Sequence, residues 1–170
     1  MATYPIVRTD NMSGTTDPAL LRTVRYHNGT DYSSAINNGT VLKLDGLIDP
    51  AADREVFKGV APAANTVLDD IVLVATPELV YDERLRNLDD YVNAAGANLR
   101  GYHLRKNDTF SITSNGVTTA ITVAVGNIVE LQAGTTLKIV ASATASTTKV
   151  GNVIAVETVG AKTYYVIRVN

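Results

Sequence analysis

The chain of 170 residues contains no cysteine and no tryptophan, and its only histidines are His27 and His103. Without cysteine it can form neither a disulfide nor a thiolate-bound metal site, and two histidines so far apart in sequence do not predict a histidine metal cluster. The longest aliphatic run, residues 71–75, is far shorter than the roughly 20 apolar residues that a membrane span needs. The N-terminus lacks the basic-then-apolar pattern of an export signal. We therefore expect no metal, no thiol chemistry and no membrane contact.

Charge and catalytic motifs are also sparse. The formal net charge is −2, which does not favour general nucleic-acid binding. A basic stretch at residues 100–106 has the composition of a nucleic-acid patch, but a solvated, charged strand is the preferred interpretation. No nucleophile elbow, phosphate-binding loop, zinc-protease motif or dinucleotide fingerprint occurs. The acidic pairs at 69–70 and 89–90 leave open a small hydrolase, with or without Ca²⁺, but we predict a protein without catalytic residues and without a cofactor.

Strand-forming residues are abundant instead. Threonine and valine together make up about a quarter of the chain. In residues 108–170 apolar side chains recur at every second position, and Asn-Gly and Gly-Asn pairs mark tight turns between these segments. The Ala/Ser/Thr-rich run at 141–148 is expected to continue from a strand into a mobile loop. The pattern predicts a mainly β fold, either a small β-barrel or a β-sandwich.

Residues 1–107 are organised differently and hold 25 of the 32 charged side chains. Residues 1–36 show no sustained periodicity, which predicts an extended N-terminal arm, while residues 37–170 are predicted to form one β-rich domain. Within that domain residues 70–76 are almost wholly apolar and are expected to form a central strand.

One short helix is predicted within the β-rich domain, at residues 82–96. Leu85, Leu88 and Val92 recur at helical spacing. Gly96 then stands where a helix C-terminal cap is expected.

Several short motifs in residues 8–113 carry a resemblance to a known family. They are RTDNMSGT at 8–15, RYHNGTDY at 25–32, INNGTVL at 36–42, REVFK at 54–58, ATPELVYDE at 75–83, LDDYVNAAG at 88–96, RGYHL at 100–104 and DTFSIT at 108–113. With these motifs the chain resembles the small head-associated structural proteins of tailed bacteriophages. The resemblance implies a capsid decoration (cement) protein of a phage with a Gram-positive host. Such a protein is made in the bacterial cytoplasm and binds the exterior of the major capsid protein shell in the virion.

The predicted arm supplies the candidate shell-contacting residues, because aromatic and arginine side chains are the usual anchors of protein interfaces. They are Tyr4, Ile6, Arg8, Arg22, Arg25, Tyr26 and Tyr32. Packing of these side chains against their own domain is an equally weighted alternative. Association with further copies, as a trimer, is expected from the apolar C-terminal strands. A tail or baseplate component, or a carbohydrate-binding virion module, is the alternative function.

Overall fold

The computed structural model describes residues 3–79 and 87–170, of which 45% lie in strands. Helical residues in these ranges occur only in short 3-10 turns. The strands are β1 (Val7–Asn11), β2 (Leu21–Tyr26), β3 (Val41–Asp49), β4 (Asp53–Val60), β5 (Ile71–Val74), β6 (Asn98–His103), β7 (Thr109–Thr113), β8 (Val117–Thr119), β9 (Ile128–Glu130), β10 (Leu137–Val140), β11 (Lys149–Val159) and β12 (Lys162–Val169). The predicted mainly β class is confirmed.

Five strands close into a barrel in the order β2-β4-β3-β5-β6. Strand β2 closes it by pairing in parallel with β4 and antiparallel with β6. The interior is narrow: a Cβ atom on Gly101 would lie 2.9 Å from Val72 Cγ2, and one on Gly59 would overlap Val24. Strands β4 and β6 therefore carry glycine, at positions 59 and 101, where a larger side chain would not fit inside the barrel.

The remaining strands form a seven-stranded sheet in the order β1-β7-β12-β11-β9-β10-β8. Its longest pairing is the antiparallel hairpin of β11 and β12, which turns at Gly160-Ala161. Gly160 has φ +61°, a left-handed conformation that glycine adopts without a steric penalty. At one edge of the sheet β1 pairs with β7, and the paired residues are more than 95 positions apart in the sequence.

Strand β5 contributes to two core clusters, one inside the barrel and one shared with the seven-stranded sheet. Its four residues are completely buried and alternate between two environments. Val72 and Val74 pack inside the barrel, whereas Ile71 and Leu73 pack in a cluster that also contains Ile112 of the seven-stranded sheet. A strand that is covered on both faces has to be apolar at every position, so the prediction of a central strand at 70–76 is correct for its apolar centre, Ile71–Val74.

The predicted extended arm at residues 1–36 is wrong. Residues 7–11 form β1 at the edge of the seven-stranded sheet, and residues 21–26 form β2 within the closed barrel. Between them, the Asp17 side chain accepts a hydrogen bond from Ala19 N at the start of a 3-10 turn at Pro18–Leu20. The segment shows no sustained period because its two strands are short, belong to different sheets and are separated by turns.

The predicted helix at 82–96 is wrong for its described part, residues 87–96, while residues 82–86 lie outside the described ranges. Leu88–Asp90 forms a single 3-10 turn, and Asn93 forms an isolated bridge with Ile36. The Leu88 side chain is 53% exposed, so the apolar spacing does not face a core. Gly96 is left-handed, with φ +71°, but follows no helix.

Candidate interaction surface

The seven predicted contact residues occupy two separate places in the fold. Tyr4, Ile6 and Arg8 lie in or beside β1 on the seven-stranded sheet. The other four lie in β2 or in the loop that follows it, on the barrel, and are Arg22, Arg25, Tyr26 and Tyr32. The structure therefore does not bring all seven together in one binding face.

The β1 group is held largely by its own sheet. Ile6 is only 4% exposed, and its backbone N–H donates to Thr113 Oγ1 at 2.9 Å, so it is a core residue and the prediction of a contact role for it is wrong. Tyr4 is half-buried, and its backbone N–H donates to the Asp89 carbonyl. Arg8 is exposed, with its guanidinium 4.5 Å from the centre of the Tyr164 ring. Of the three, Arg8 is the side chain most available to a partner.

Arg25 is held in place by a neutral residue. It lies opposite Asn98 in the antiparallel pairing of β2 and β6, and its Nε and Nη2 atoms donate to Asn98 Oδ1 at 3.1 and 2.8 Å. The guanidinium also lies 6.0 Å from the centre of the Tyr32 ring. The amide fixes the orientation of the planar guanidinium without neutralising its charge.

Arg22 and Arg100 flank the same region of the barrel. Arg22 Nη1 donates to the carbonyls of Ala19 and Leu21 at 2.8 and 2.7 Å, and its guanidinium lies 5.9 Å from the Phe57 ring centre. Arg100 is exposed, and within the described ranges its guanidinium has no hydrogen-bond or ion-pair partner. We call Arg22, Arg25 and Arg100 the arginine surface.

A cleft of about 380 Å³ lies within the arginine surface. It is lined by Leu21, Arg22, Thr23, Thr76, Pro77, Asn98, Leu99 and Arg100. None of these lining residues is acidic, and the ion pairs formed by the described residues include none of the three arginines. Among the described residues the surface thus carries three arginines that form no ion pair, on a chain whose net charge is −2.

Aromatic residues border the arginine surface on one side. Tyr32 meets His27 edge to face, with ring centres 4.9 Å apart, and His27 Nδ1 accepts a hydrogen bond from Gly29 N. Tyr26 is half-buried and packs against the cluster inside the barrel. Tyr32 is therefore the aromatic side chain at the margin of the surface, whereas Tyr26 contributes mainly to the core.

Other groups singled out in the sequence are engaged elsewhere. Asp69 forms an exposed ion pair with Arg105 at 3.2 Å, and Asp89 pairs with Lys162. Burial, assisted by the charges of Arg22 and Arg105, lowers the pKa of His103. In the described part of the chain, no three His, Cys, Asp or Glu side chains are grouped so that they could hold a metal ion.

The role of Asn98 is not predicted from the sequence, and Arg100 is predicted only as part of a basic stretch. Asn98 is 73 positions from Arg25, and only the strand pairing places them side by side. No motif marks such a contact, because it depends on the register of two strands that are distant in sequence.

Comparisons with known proteins identify no relative of this chain. No protein-family model, no curated protein and no solved structure matches this chain. None of the helical segments in residues 3–79 and 87–170 has the length and apolar character required to cross a bilayer. The function therefore has to be inferred from the sequence motifs and from the geometry of the surface.

Proposed function

We propose that this chain is a structural virion protein that binds the outer surface of a tailed-bacteriophage capsid shell and stabilises it as a decoration protein. The observation that carries the proposal is the arginine surface, whose three guanidinium groups have no carboxylate partner among the described residues. The resemblance of residues 8–113 to head-associated phage proteins supports the same role. The proposal assigns no catalytic residue, metal or cofactor.

The chemistry of the arginine surface favours a carboxylate-bearing protein partner. A guanidinium presents parallel N–H groups that match a carboxylate, and Asn98 already holds that of Arg25 in a fixed orientation. A nucleic acid is a less suitable partner. A salt-sensitive DNA-binding protein makes roughly six to ten phosphate contacts, whereas this surface has three arginines. The partner that we propose is an acidic segment on the exterior of the major capsid protein.

The fold suits repeated, moderate contacts rather than one very tight site. The core cluster that contains both Leu73 of the barrel and Ile112 of the sheet makes a single body of the two parts. A rigid body loses little conformational freedom on binding. Copies joined in an oligomer would bind a repeating shell through several arginine surfaces at once, so each surface needs only modest affinity.

Self-association, predicted as a trimer, is part of the proposal. Ile154, Val156 and Val159 of β11 are 40%, 41% and 48% exposed. Strand β9 pairs with β11 only as far as Asn152, and within the described residues no strand adds to β11 beyond Val153 on that side. An exposed strand edge with aliphatic side chains is a common site of contact with another chain. Sedimentation of the purified protein checks its oligomeric state.

Co-sedimentation with capsids that lack this protein tests the proposed function. We expect saturable binding to the shell, and about tenfold weaker binding for Arg25→Ala than for the unaltered protein. Lys149→Ala is the matched control, since it removes an exposed positive charge from the other sheet. Failure to bind, or binding to isolated tails but not to heads, would contradict the proposal.

A further inference from the structure

A second cleft lies on the seven-stranded sheet, apart from the arginine surface. Its volume is about 410 Å³, which is within the range of small-molecule sites, roughly 300–1,000 Å³. Three segments form its walls: residues 3–4, the end of β7 with the following turn, and the start of β12. The lining residues are Thr3, Tyr4, Thr113, Ser114, Asn115, Ala161, Lys162 and Thr163.

A chain of hydrogen bonds fixes two of these walls. Ile6 N donates to Thr113 Oγ1 at 2.9 Å, and Thr113 Oγ1 donates to Asn115 Oδ1 at 2.7 Å. Asn115 Nδ2 in turn donates to the carbonyl of Thr3 at 3.1 Å. The last of these bonds joins residues that are 112 positions apart in the sequence. Because the bonds lie within the protein, the shape of the cleft does not depend on a ligand.

The charge of the cleft is balanced within the protein. Among the described residues that line it, Lys162 is the only charged one, and Lys162 Nζ donates to the carboxylate of Asp89. That hydrogen bond is the main reason why the pKa of Asp89 lies below its ordinary value. An anionic ligand would have to compete with Asp89 for Lys162, and the cleft offers it no second cation.

Three hydroxyl groups at the cleft are free to meet a ligand. Tyr4, Ser114 and Thr163 each place a hydroxyl-bearing side chain there, and among the described residues none of the three hydroxyls has a hydrogen-bond partner. Hydroxyl groups donate and accept, so they pair with ligands that do the same. The half-buried Tyr4 is also the one aromatic residue among the described residues that line the cleft.

We propose that this cleft binds a neutral saccharide. A sugar ring has hydroxyl groups on its rim and apolar C–H faces, which match free hydroxyls beside an aromatic ring in a site without net charge. The proposal goes beyond attachment to the shell, because the cleft shares no residue with the arginine surface. A decoration protein with such a site would present a sugar-binding surface on the virion.

The test follows amide signals of the full-length, ¹⁵N-labelled protein in NMR titrations. The probes are the methyl glycosides of glucose, galactose, mannose and N-acetylglucosamine, with inorganic phosphate as the anionic probe. We expect at least one glycoside to cause saturable shifts at Thr3, Ser114, Asn115 and Thr163, with a dissociation constant of about 1 mM or below. Phosphate should leave these signals in place.

Two variants connect the shifts to the cleft. Tyr4→Ala removes the ring, and Ala161→Phe fills the cleft from the exposed hairpin turn without touching the hydrogen bonds that fix its walls. Each should weaken glycoside binding at least tenfold, whereas Arg25→Ala should leave it unchanged. The proposal is overturned if none of the glycosides gives saturable shifts at about 10 mM. It is equally overturned if phosphate alone binds, or if Ala161→Phe, folded by its spectrum, binds the glycoside as before.

Discussion

Arg25 and Asn98 form a pair in which a fixed positive charge is oriented by an amide rather than neutralised by an acid. Both donating atoms of Arg25, Nε and Nη2, converge on Asn98 Oδ1. The amide occupies the position that a carboxylate would take in an intramolecular ion pair. The charge of Arg25 is thereby kept available to a group outside the chain.

Replacing that amide by an acid should weaken binding without disturbing the fold. In Asn98→Asp the new carboxylate lies beside Arg25 and compensates its charge, so an acidic partner gains less from the contact. We expect about tenfold weaker co-sedimentation with capsids, and a change in the free energy of unfolding of about 1 kcal/mol or less, since the pair is exposed. Unchanged capsid binding would show that the charge of Arg25 is not used.

Asn65→Asp is the control for the added negative charge. Asn65 is exposed, and in the described part of the chain its side chain has no partner. The substitution changes the net charge by the same amount at a position that does not line the arginine surface. It should bind capsids like the unaltered protein, and an equal loss of binding would indicate a general charge effect instead.

The mainly β class and the central strand could be predicted because their causes are local. Alternating apolar residues and Asn-Gly turns act over a few positions, and the wholly apolar sequence of β5 reflects burial on both faces. The exposed Ile121 and Val125 also follow an alternating pattern, but residues 120–127 form no strand. Periodicity identifies possible strands, while pairing partners decide which of them form.

The site could be predicted only in part, for the same reason. Arg22, Arg25 and Tyr32 are predicted by residue type, which is visible in the sequence. Ile6 has a residue type that suits an interface but is buried, and its backbone N–H donates to Thr113, which is 107 positions away. Contacts of this kind depend on strand register across the whole chain, and a single sequence contains no local signal for them.

The interior of the barrel leaves no room for a side chain at position 59. Because a methyl group there would overlap Val24 and crowd Leu42, Gly59→Ala should lower the free energy of unfolding by about 1–3 kcal/mol. Urea unfolding monitored by circular dichroism measures the change. Thr30→Ala, in an exposed loop, should stay within about 0.5 kcal/mol. A Gly59→Ala protein of unaltered stability would mean that the barrel is less tightly packed than described.

Removing residues 1–36 should abolish folding rather than release a separate arm. The deletion takes away β2, which joins β4 to β6, and so opens the barrel beside Val72 and Leu42. It also removes β1 from the edge of the other sheet. We expect the truncated chain to lose cooperative thermal unfolding and dispersed NMR signals. A cooperative transition in the truncated chain would show that the barrel does not require β2.

The Ala/Ser/Thr-rich run at 141–148 is anchored by a buried carboxylate. Glu130 is 1% exposed and accepts hydrogen bonds from Thr144 N at 3.0 Å, Thr144 Oγ1 at 2.6 Å and Thr147 Oγ1 at 3.0 Å. Lys138 lies 3.6 Å away. Burial by itself would raise the pKa of Glu130, but these hydrogen bonds and the Lys138 charge outweigh it and lower the pKa below its ordinary value of 4.5.

This carboxylate should make stability depend on acid pH. Since its pKa is lower in the folded than in the unfolded chain, the unfolded chain binds the proton more readily, and stability present above pH 4.5 is lost as the pH falls through the folded-state value. At pH 7 the free energy of unfolding of Glu130→Gln, measured with urea, should therefore be about 1–3 kcal/mol lower than that of the unaltered protein. This difference should shrink at pH 3. Glu157→Gln, an exposed position on β11, should leave the pH dependence as it is. A gap for Glu130→Gln that is equal at both pH values would contradict the role of the charge and leave only the lost hydrogen bonds.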